Sequence, residues 1–175
     1  MRIIGGEYRS RILSFPDAEG LRPTPDRVRE TVFNWLGQTL YGKRCLDLFA
    51  GSGALGLEAA SRGAEQVVMV EKNRKVFLAL QENVKKLDCR NVVLHCADGL
   101  EFARSERGLF DVVFLDPPFA SDNLPKVLPL LATILAQDGV VYVESGQAFE
   151  PDAAWQVEKH ARAGAVYYQL LRKMQ

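Results

Sequence analysis

Short apolar runs recur along the chain, and the stretches between them have room for one helix each. "RCLDLF", "QVVMVE", "NVVLHC", "FDVVFLD" and "VVYVE" carry few internal polar positions, as buried strands do. Between them, residues 54–62, the stretch after Asn73 (with Val76, Leu80, Val84 and Leu87 on one side), residues 99–107 and residues 123–136 have helical spacing. Asn73 is placed to cap its helix. Strands buried on both faces and alternating with helices predict a doubly wound, mostly parallel α/β sheet.

The two ends of the chain depart from this rhythm. "AWQVEKH" and "AVYYQLL", joined by "ARAG", leave no room for a helix and predict an antiparallel hairpin at the C-terminal sheet edge, which brings the sheet to seven strands. At the other end, "RII", Gly5-Gly6 and "YRSRIL" read as a small N-terminal β-hairpin. After the loop "FPDAEGLRP", the triplet Thr24-Pro25-Asp26 reads as a helix start with Thr24 as N-cap and Pro25 at the first helical position. Val28, Val32, Trp35, Leu36 and Leu40 continue it on one apolar face. With no linker, repeat or low-complexity tract, residues 1–175 read as one domain, residues 1–20 being an extension of a core over 21–175.

Composition narrows the function classes. No apolar run approaches a membrane span, and "MRIIGGEYRSRIL" lacks the apolar block of a secretory signal, so a soluble, cytoplasmic protein is expected. Cys45, Cys89 and Cys96 form no CxxC pair and no cluster with histidine, which predicts buried thiols in a reducing compartment and no metal site. The formal net charge is zero, which argues against coating nucleic acid by bulk electrostatics. The distribution is uneven, however: residues 1–44 carry eight basic and five acidic side chains, and residues 98–152 carry three basic and ten acidic ones. A mildly basic arm beside an acidic body suits phosphate on one side and a cationic cofactor on the other, although a solvated charge mosaic gives the same counts.

The candidate chemistry begins at "DLFAGSGALGLEA", where Gly51-x-Gly53-x-x-Gly56 links the first strand of the sheet to its helix. In doubly wound folds this turn, at the carboxyl ends of the strands, is where a nucleotide-like ligand lies. Glu71 ends the next strand, placed to accept the hydroxyls of a ribose, and Asp98 follows the third, placed to meet an adenine amine. Both NAD and S-adenosylmethionine contain adenosine, so these residues alone leave the two open. A pyrophosphate prefers a bare helix N-terminus, whereas an ammonium and a sulfonium want acceptors, and Asp47 just before the loop is one.

The fourth strand ends in Asp116-Pro117-Pro118-Phe119 at the same edge. Two prolines fix the backbone and remove two N–H donors, leaving carbonyls as acceptors. A carboxylate and a rigid carbonyl can take both hydrogens of an amine on a planar base, and a neighbouring ring can stack on that base. A turn that merely stops a strand would use similar residues, but the set suits methylation of an exocyclic amine.

"DLFAGSGALGLEA", "VEKN" and "DPPF" resemble the successive motifs of class I S-adenosylmethionine-dependent methyltransferases of the amino-methylating branch. The opening "RIIGGEYRSRIL" with "GLRPTPDRVRETVFNWL" is similar to that of the RsmD-like 16S rRNA guanine-N2 methyltransferases. The resemblance runs from Arg2 to about Glu144. It implies a Rossmann-like methyltransferase fold and transfer of a methyl group to N2 of the guanine conventionally numbered 966 in 16S rRNA, in the small ribosomal subunit. It implies S-adenosylmethionine as cofactor, S-adenosylhomocysteine as product, and no metal. It implicates Asp47, Phe49, Gly51, Gly53, Glu71, Lys72, Asp98 and Gly99 with the cofactor, and Asp116, Pro117, Pro118 and Phe119 with catalysis.

A guanine in an rRNA loop is cheaper to unstack than one in a duplex, which fits such a substrate. Arg2, Arg9 and Arg11 on the N-terminal hairpin, with Arg22, Thr24, Arg27 and Arg29, are the candidate RNA contacts; Arg27 and Arg29 are equally placed to pair with Asp26 or Glu30. Tyr8 can stack on RNA or pack. His95 is expected in the core, His160 has no visible partner, and Trp35 and Trp155 are expected to pack. A monomer is expected, with ribosomal proteins near the target loop as further partners. The rival functions are methylation of DNA adenine-N6 or of a protein glutamine, nicotinamide oxidoreduction, and non-catalytic RNA binding during assembly.

Overall fold

The computed structural model describes residues 1–18, 21, 23–117 and 123–175. In chain order the elements are α1 (Asp26–Trp35), β1 (Arg44–Asp47), α2 (Ala54–Ser61), β2 (Gln66–Glu71), α3 (Arg74–Leu87), β3 (Val92–Cys96), α4 (Gly99–Ser105), β4 (Phe110–Leu115), α5 (Asn123–Leu131), β5 (Leu135–Ser145), β6 (Trp155–Ala163) and β7 (Val166–Lys173). They form a seven-stranded sheet of order β3-β2-β1-β4-β5-β7-β6. Strands β1 to β5 run parallel, and β7 is antiparallel to both β5 and β6. The chain moves outward from β1 to β3 and then returns to β4, so the strand order reverses between β1 and β4, the place where such folds bind ligands.

Alternation along the strands divides the core in two. Cys45, Val112, Phe114 and Tyr142 pack with Val28, Val32 and Phe33 of α1, Leu57 and Ala60 of α2, and Leu80 of α3. Leu46, Val113, Leu115 and Val143 face the other way, onto Ala103 of α4 and Leu124, Val127 and Leu131 of α5. Asn73 caps α3, its side chain accepting the Val76 N–H at 3.1 Å. Among the described residues, no helix is long and apolar enough to cross a membrane.

Several local expectations are corrected. Pro25, not Thr24, occupies the N-cap of α1, and the Thr24 hydroxyl turns inward instead. The last α-helix stops at Leu131, yet Ile134 packs in the same apolar cluster, so the hydrophobic spacing outlasts the helix. The fifth strand begins at Leu135, paired with Phe110, and shifts register before its continuous run from Val140. The N-terminal pair is reduced to one antiparallel bridge between Arg2 and Ile12. His95 and Cys96 are exposed because β3 is a sheet edge with one partner strand; Cys89, just after α3, is half-buried, and Cys45, in central β1, is buried. His95 rests against Phe102 with ring centres 5.1 Å apart.

Candidate active site

The turn from β1 into α2 is shaped by its glycines. Gly53 has φ of +84°, and a Cβ there would fall 2.5 Å from Leu80 Cδ1, so only glycine fits without strain. A Cβ on Gly56 would lie 2.6 Å from Met69 Cε; its absence lets the first turn of α2 settle on the sheet, where the Gly56 N–H donates to Asp47 Oδ2 at 3.0 Å. The Glu71 carboxylate is held across this loop: Oε1 accepts the Gly51 N–H and Oε2 the Asn73 N–H, each at 2.8 Å. Beside it, Asp98 Oδ1 accepts the Glu101 N–H at 3.1 Å and caps α4, while Oδ2 lies 3.6 Å from Lys72 Nζ. The Lys72 side chain is 78% exposed, so it can yield Asp98 to a ligand. Phe49 lies against the bare Cα of Gly99, where a Cβ would approach its ring to 2.8 Å.

The carboxyl ends of β1, β4 and β5 carry a second set of acids. Asp47 is buried, and burial first, then the charges of Glu71 and Glu144, push its pKa up to about 7 against the pull of the Gly56 N–H. Burial, then Glu144 and Asp47, hold Asp116 well above the usual carboxylate range. Burial likewise raises Glu144, whose Oε2 accepts from the Tyr142 hydroxyl at 2.8 Å and the Thr24 hydroxyl at 3.2 Å. Three crowded, desolvated carboxylates suit a cationic ligand and oppose a pyrophosphate. These residues therefore fit the ammonium and sulfonium end of S-adenosylmethionine, with Glu71 and Asp98 available to its adenosine. Among the described residues no group of histidine, cysteine, aspartate and glutamate is arranged to hold a metal ion. Pro117 leaves β4 at this edge; Pro118 and Phe119 lie outside the described residues.

The family model described as Conserved hypothetical protein 95 (Cons_hypoth95) matches residues 1–172. The chain is 41% identical over 179 residues to ribosomal RNA small subunit methyltransferase D of Escherichia coli (strain K12), spanning 99% of this chain and 90% of that protein. The chain belongs to the RsmD-like family of class I methyltransferases. The protein of the same name from Haemophilus influenzae is 38% identical over 179 residues, spanning 97% of this chain and 92% of its own length. The solved structure of yhhF from Escherichia coli superposes with a TM-score of 0.88 at 41% identity, covering 99% of this chain and 97% of the other.

In this RsmD-like chain the candidate RNA contacts separate by exposure. Arg2, Arg9, Arg11 and Arg27 are exposed, and Arg22 lies outside the described residues. Arg29 is corrected: it is 1% exposed and unable to reach RNA. Its guanidinium pairs with Asp26 at 2.5 Å and Glu58 at 3.1 Å, and its Nε donates to the Thr24 carbonyl. Glu58, fully buried on α2, also accepts from Arg62 Nε at 2.9 Å and from the backbone N–H groups of Ile4 and Gly5 at 3.0 and 2.9 Å. That carboxylate ties the N-terminal arm to the core. Thr24 is buried too, and serves Glu144. Tyr8 packs against the core, its N–H bonded to Ser61 Oγ, and burial first pushes its hydroxyl up to about 12. Trp155 packs in the core, and half-buried Trp35 stacks on Tyr168 at 5.3 Å.

Sequence reasoning assigned no role to Glu58, Tyr142 or Glu144. The signal for Glu144 was present: like Asp47, Glu71 and Asp116, it is an acid at the carboxyl end of an apolar strand.

Proposed function

We propose that this methyltransferase uses S-adenosylmethionine to methylate the exocyclic N2 of a guanine in 16S rRNA, at the position conventionally numbered 966, within the small ribosomal subunit. The observation that carries the reading is the meeting, at one sheet edge, of the Asp116-Pro117 turn with the buried carboxylates and the glycine loop. The names of the Escherichia coli and Haemophilus influenzae relatives support an rRNA substrate of the small subunit.

The cofactor, when bound, supplies an electrophilic methyl group on a sulfonium. Glu71, Asp98 and Phe49 hold its adenosine, and Asp47 receives its ammonium end. Asp116 and the Pro117 carbonyl accept the two amine hydrogens of the base, which turns the nitrogen lone pair toward the methyl; Phe119 supplies the stacking ring. Such alignment can contribute roughly 7 to 11 kcal/mol to lowering the barrier. Asp116, held above the usual carboxylate range, then takes the proton released from the amine. The exposed Arg2, Arg9, Arg11 and Arg27 contact backbone phosphates around the target loop.

The test is transfer of labelled methyl from S-adenosylmethionine to small subunits lacking the modification, beside naked 16S rRNA and DNA, followed by nucleoside analysis. N2-methylguanosine from the subunits is expected. Asp116→Ala should lower kcat by about 10²- to 10⁴-fold. No label in any RNA despite measured cofactor binding, or full activity in Asp116→Ala, would overturn the reading.

A further inference from the structure

The reaction as described leaves Glu144 without a role, although its side chain is buried and held by two hydrogen bonds. Strands β4 and β5 pair Phe114 with Tyr142 and Leu115 with Val143, so Asp116 and Glu144 follow side by side at the carboxyl edge, on the face of Phe114 and Tyr142. Glu144 is 8% exposed. Among the described residues no arginine or lysine pairs with it. Two hydroxyls, from Tyr142 within its own strand and from Thr24 just before α1, both donate to Oε2. They fix the carboxylate from one side, and among the described residues no donor reaches Oε1. A carboxylate taken out of water, oriented by two hydroxyl donors and paired with no cation among the described residues is costly to keep for packing alone.

We propose that Glu144 selects the acceptor base: Oε1 accepts the N1–H of guanine while Asp116 and the Pro117 carbonyl accept its N2 amine. The assignment rests on the guanine-N2 reading above. Among the four RNA bases, only guanine carries an exocyclic amine next to a protonated ring nitrogen. In adenine and cytosine the ring nitrogens beside the amine carry lone pairs. Two neighbouring acceptors thus match the guanine edge, whereas either of the other bases would turn a lone pair toward a buried carboxylate. Attraction to one base and repulsion of the others come from the same atom, which is how a polar site gains selectivity that an apolar pocket cannot.

The probe that isolates this contact is 2-aminopurine, which keeps the 2-amino group and has a lone pair at N1. Small subunits reassembled around a synthetic 16S rRNA segment would carry guanine or 2-aminopurine at the acceptor position, and kcat/KM would be measured for each. The wild-type chain should favour guanine by about 100-fold or more. Glu144→Gln, whose amide can donate to a ring lone pair, should lose guanine activity and gain 2-aminopurine activity, shrinking the ratio by roughly tenfold or more. Cofactor titration by calorimetry verifies that the variant is folded; if it is not, Glu144→Asp, which withdraws the carboxylate by one methylene, should shrink the ratio in the same direction. An unchanged ratio in a variant that still binds cofactor would overturn the assignment, as would a wild-type chain that methylates 2-aminopurine and guanine equally. Failure of the wild type to label guanine in native subunits would instead remove the guanine reading itself.

Discussion

If Asp47 receives the cofactor's ammonium end, as proposed, this single residue ties cofactor binding to pH. Burial lifts its carboxyl to about 7, so in the folded chain it holds a proton that it would release in water. A raised carboxylate pKa makes the folded state bind the proton more tightly than the unfolded one. The contribution of this group to stability is therefore present below the ordinary carboxylate range, declines as pH rises, and is lost above about 7. A cation placed beside it reverses the balance, because it favours the ionised form. Affinity for S-adenosylmethionine should rise roughly tenfold between about pH 6 and 8. Calorimetric titration across that range should show the slope, and Asp47→Asn should flatten it while weakening binding at the upper end. An unaltered slope in Asp47→Asn would place the titrating group elsewhere.

At the scale of elements, the junction of α1, α2 and the N-terminal arm depends on Glu58. One fully buried carboxylate receives two arginines and two backbone amides. Removing it leaves Arg29 buried with, among the described residues, only Asp26 and the Thr24 carbonyl as partners of its side chain, and takes the acceptor from the amides of Ile4 and Gly5. Glu58→Ala should cost about 3 to 5 kcal/mol, read from denaturant unfolding. Hydrogen exchange at Ile4 and Gly5 should accelerate beyond the global change if the arm detaches first; uniform acceleration would mean that the arm and core unfold together. This junction also marks the limit of what the sequence discloses. The parallel strands were legible because apolar runs such as "QVVMVE" and "FDVVFLD" have few other uses, and the meeting of the glycine loop with acids at the carboxyl edge was legible because glycine spacing and strand-end acids reflect local backbone geometry. Arg29 and Glu58 were not, since an Arg-Glu pair 29 residues apart gives no periodic signal and each alone reads as surface charge. His95 misled for the opposite reason: "NVVLHC" has the composition of a central strand, and its place at the edge is set by the order of strands, which no local pattern carries.

At the scale of the whole molecule, a neutral chain must grip a polyanion with few charges. Of the candidate arginines, Arg2, Arg9, Arg11 and Arg27 are exposed while Arg29 is spent inside. Arg9 also shares a groove of about 690 Å³ with Glu7 and Glu30, which offset part of its charge. Arg11 is steadied by its bond to the Lys86 carbonyl at 3.1 Å, and Lys86 in turn donates to the Ile12 carbonyl, so the arm presents its charges from a fixed surface. Contacts to three or four phosphates would give a slope of log affinity against log salt of about −2 to −3, and a loss of roughly 20- to 60-fold between 50 and 200 mM salt. Binding to a naked 16S rRNA hairpin should therefore be weak at physiological salt, and the assembled subunit should bind better by offering the target loop already shaped. Replacing Arg2 or Arg11 with alanine should reduce the slope by about one each. Arg29→Met should instead lower stability and leave the slope of the folded fraction unchanged. Filter-binding titrations across salt separate these outcomes: a steep slope that persists when the exposed arginines are removed would move the RNA-binding surface away from the N-terminal arm.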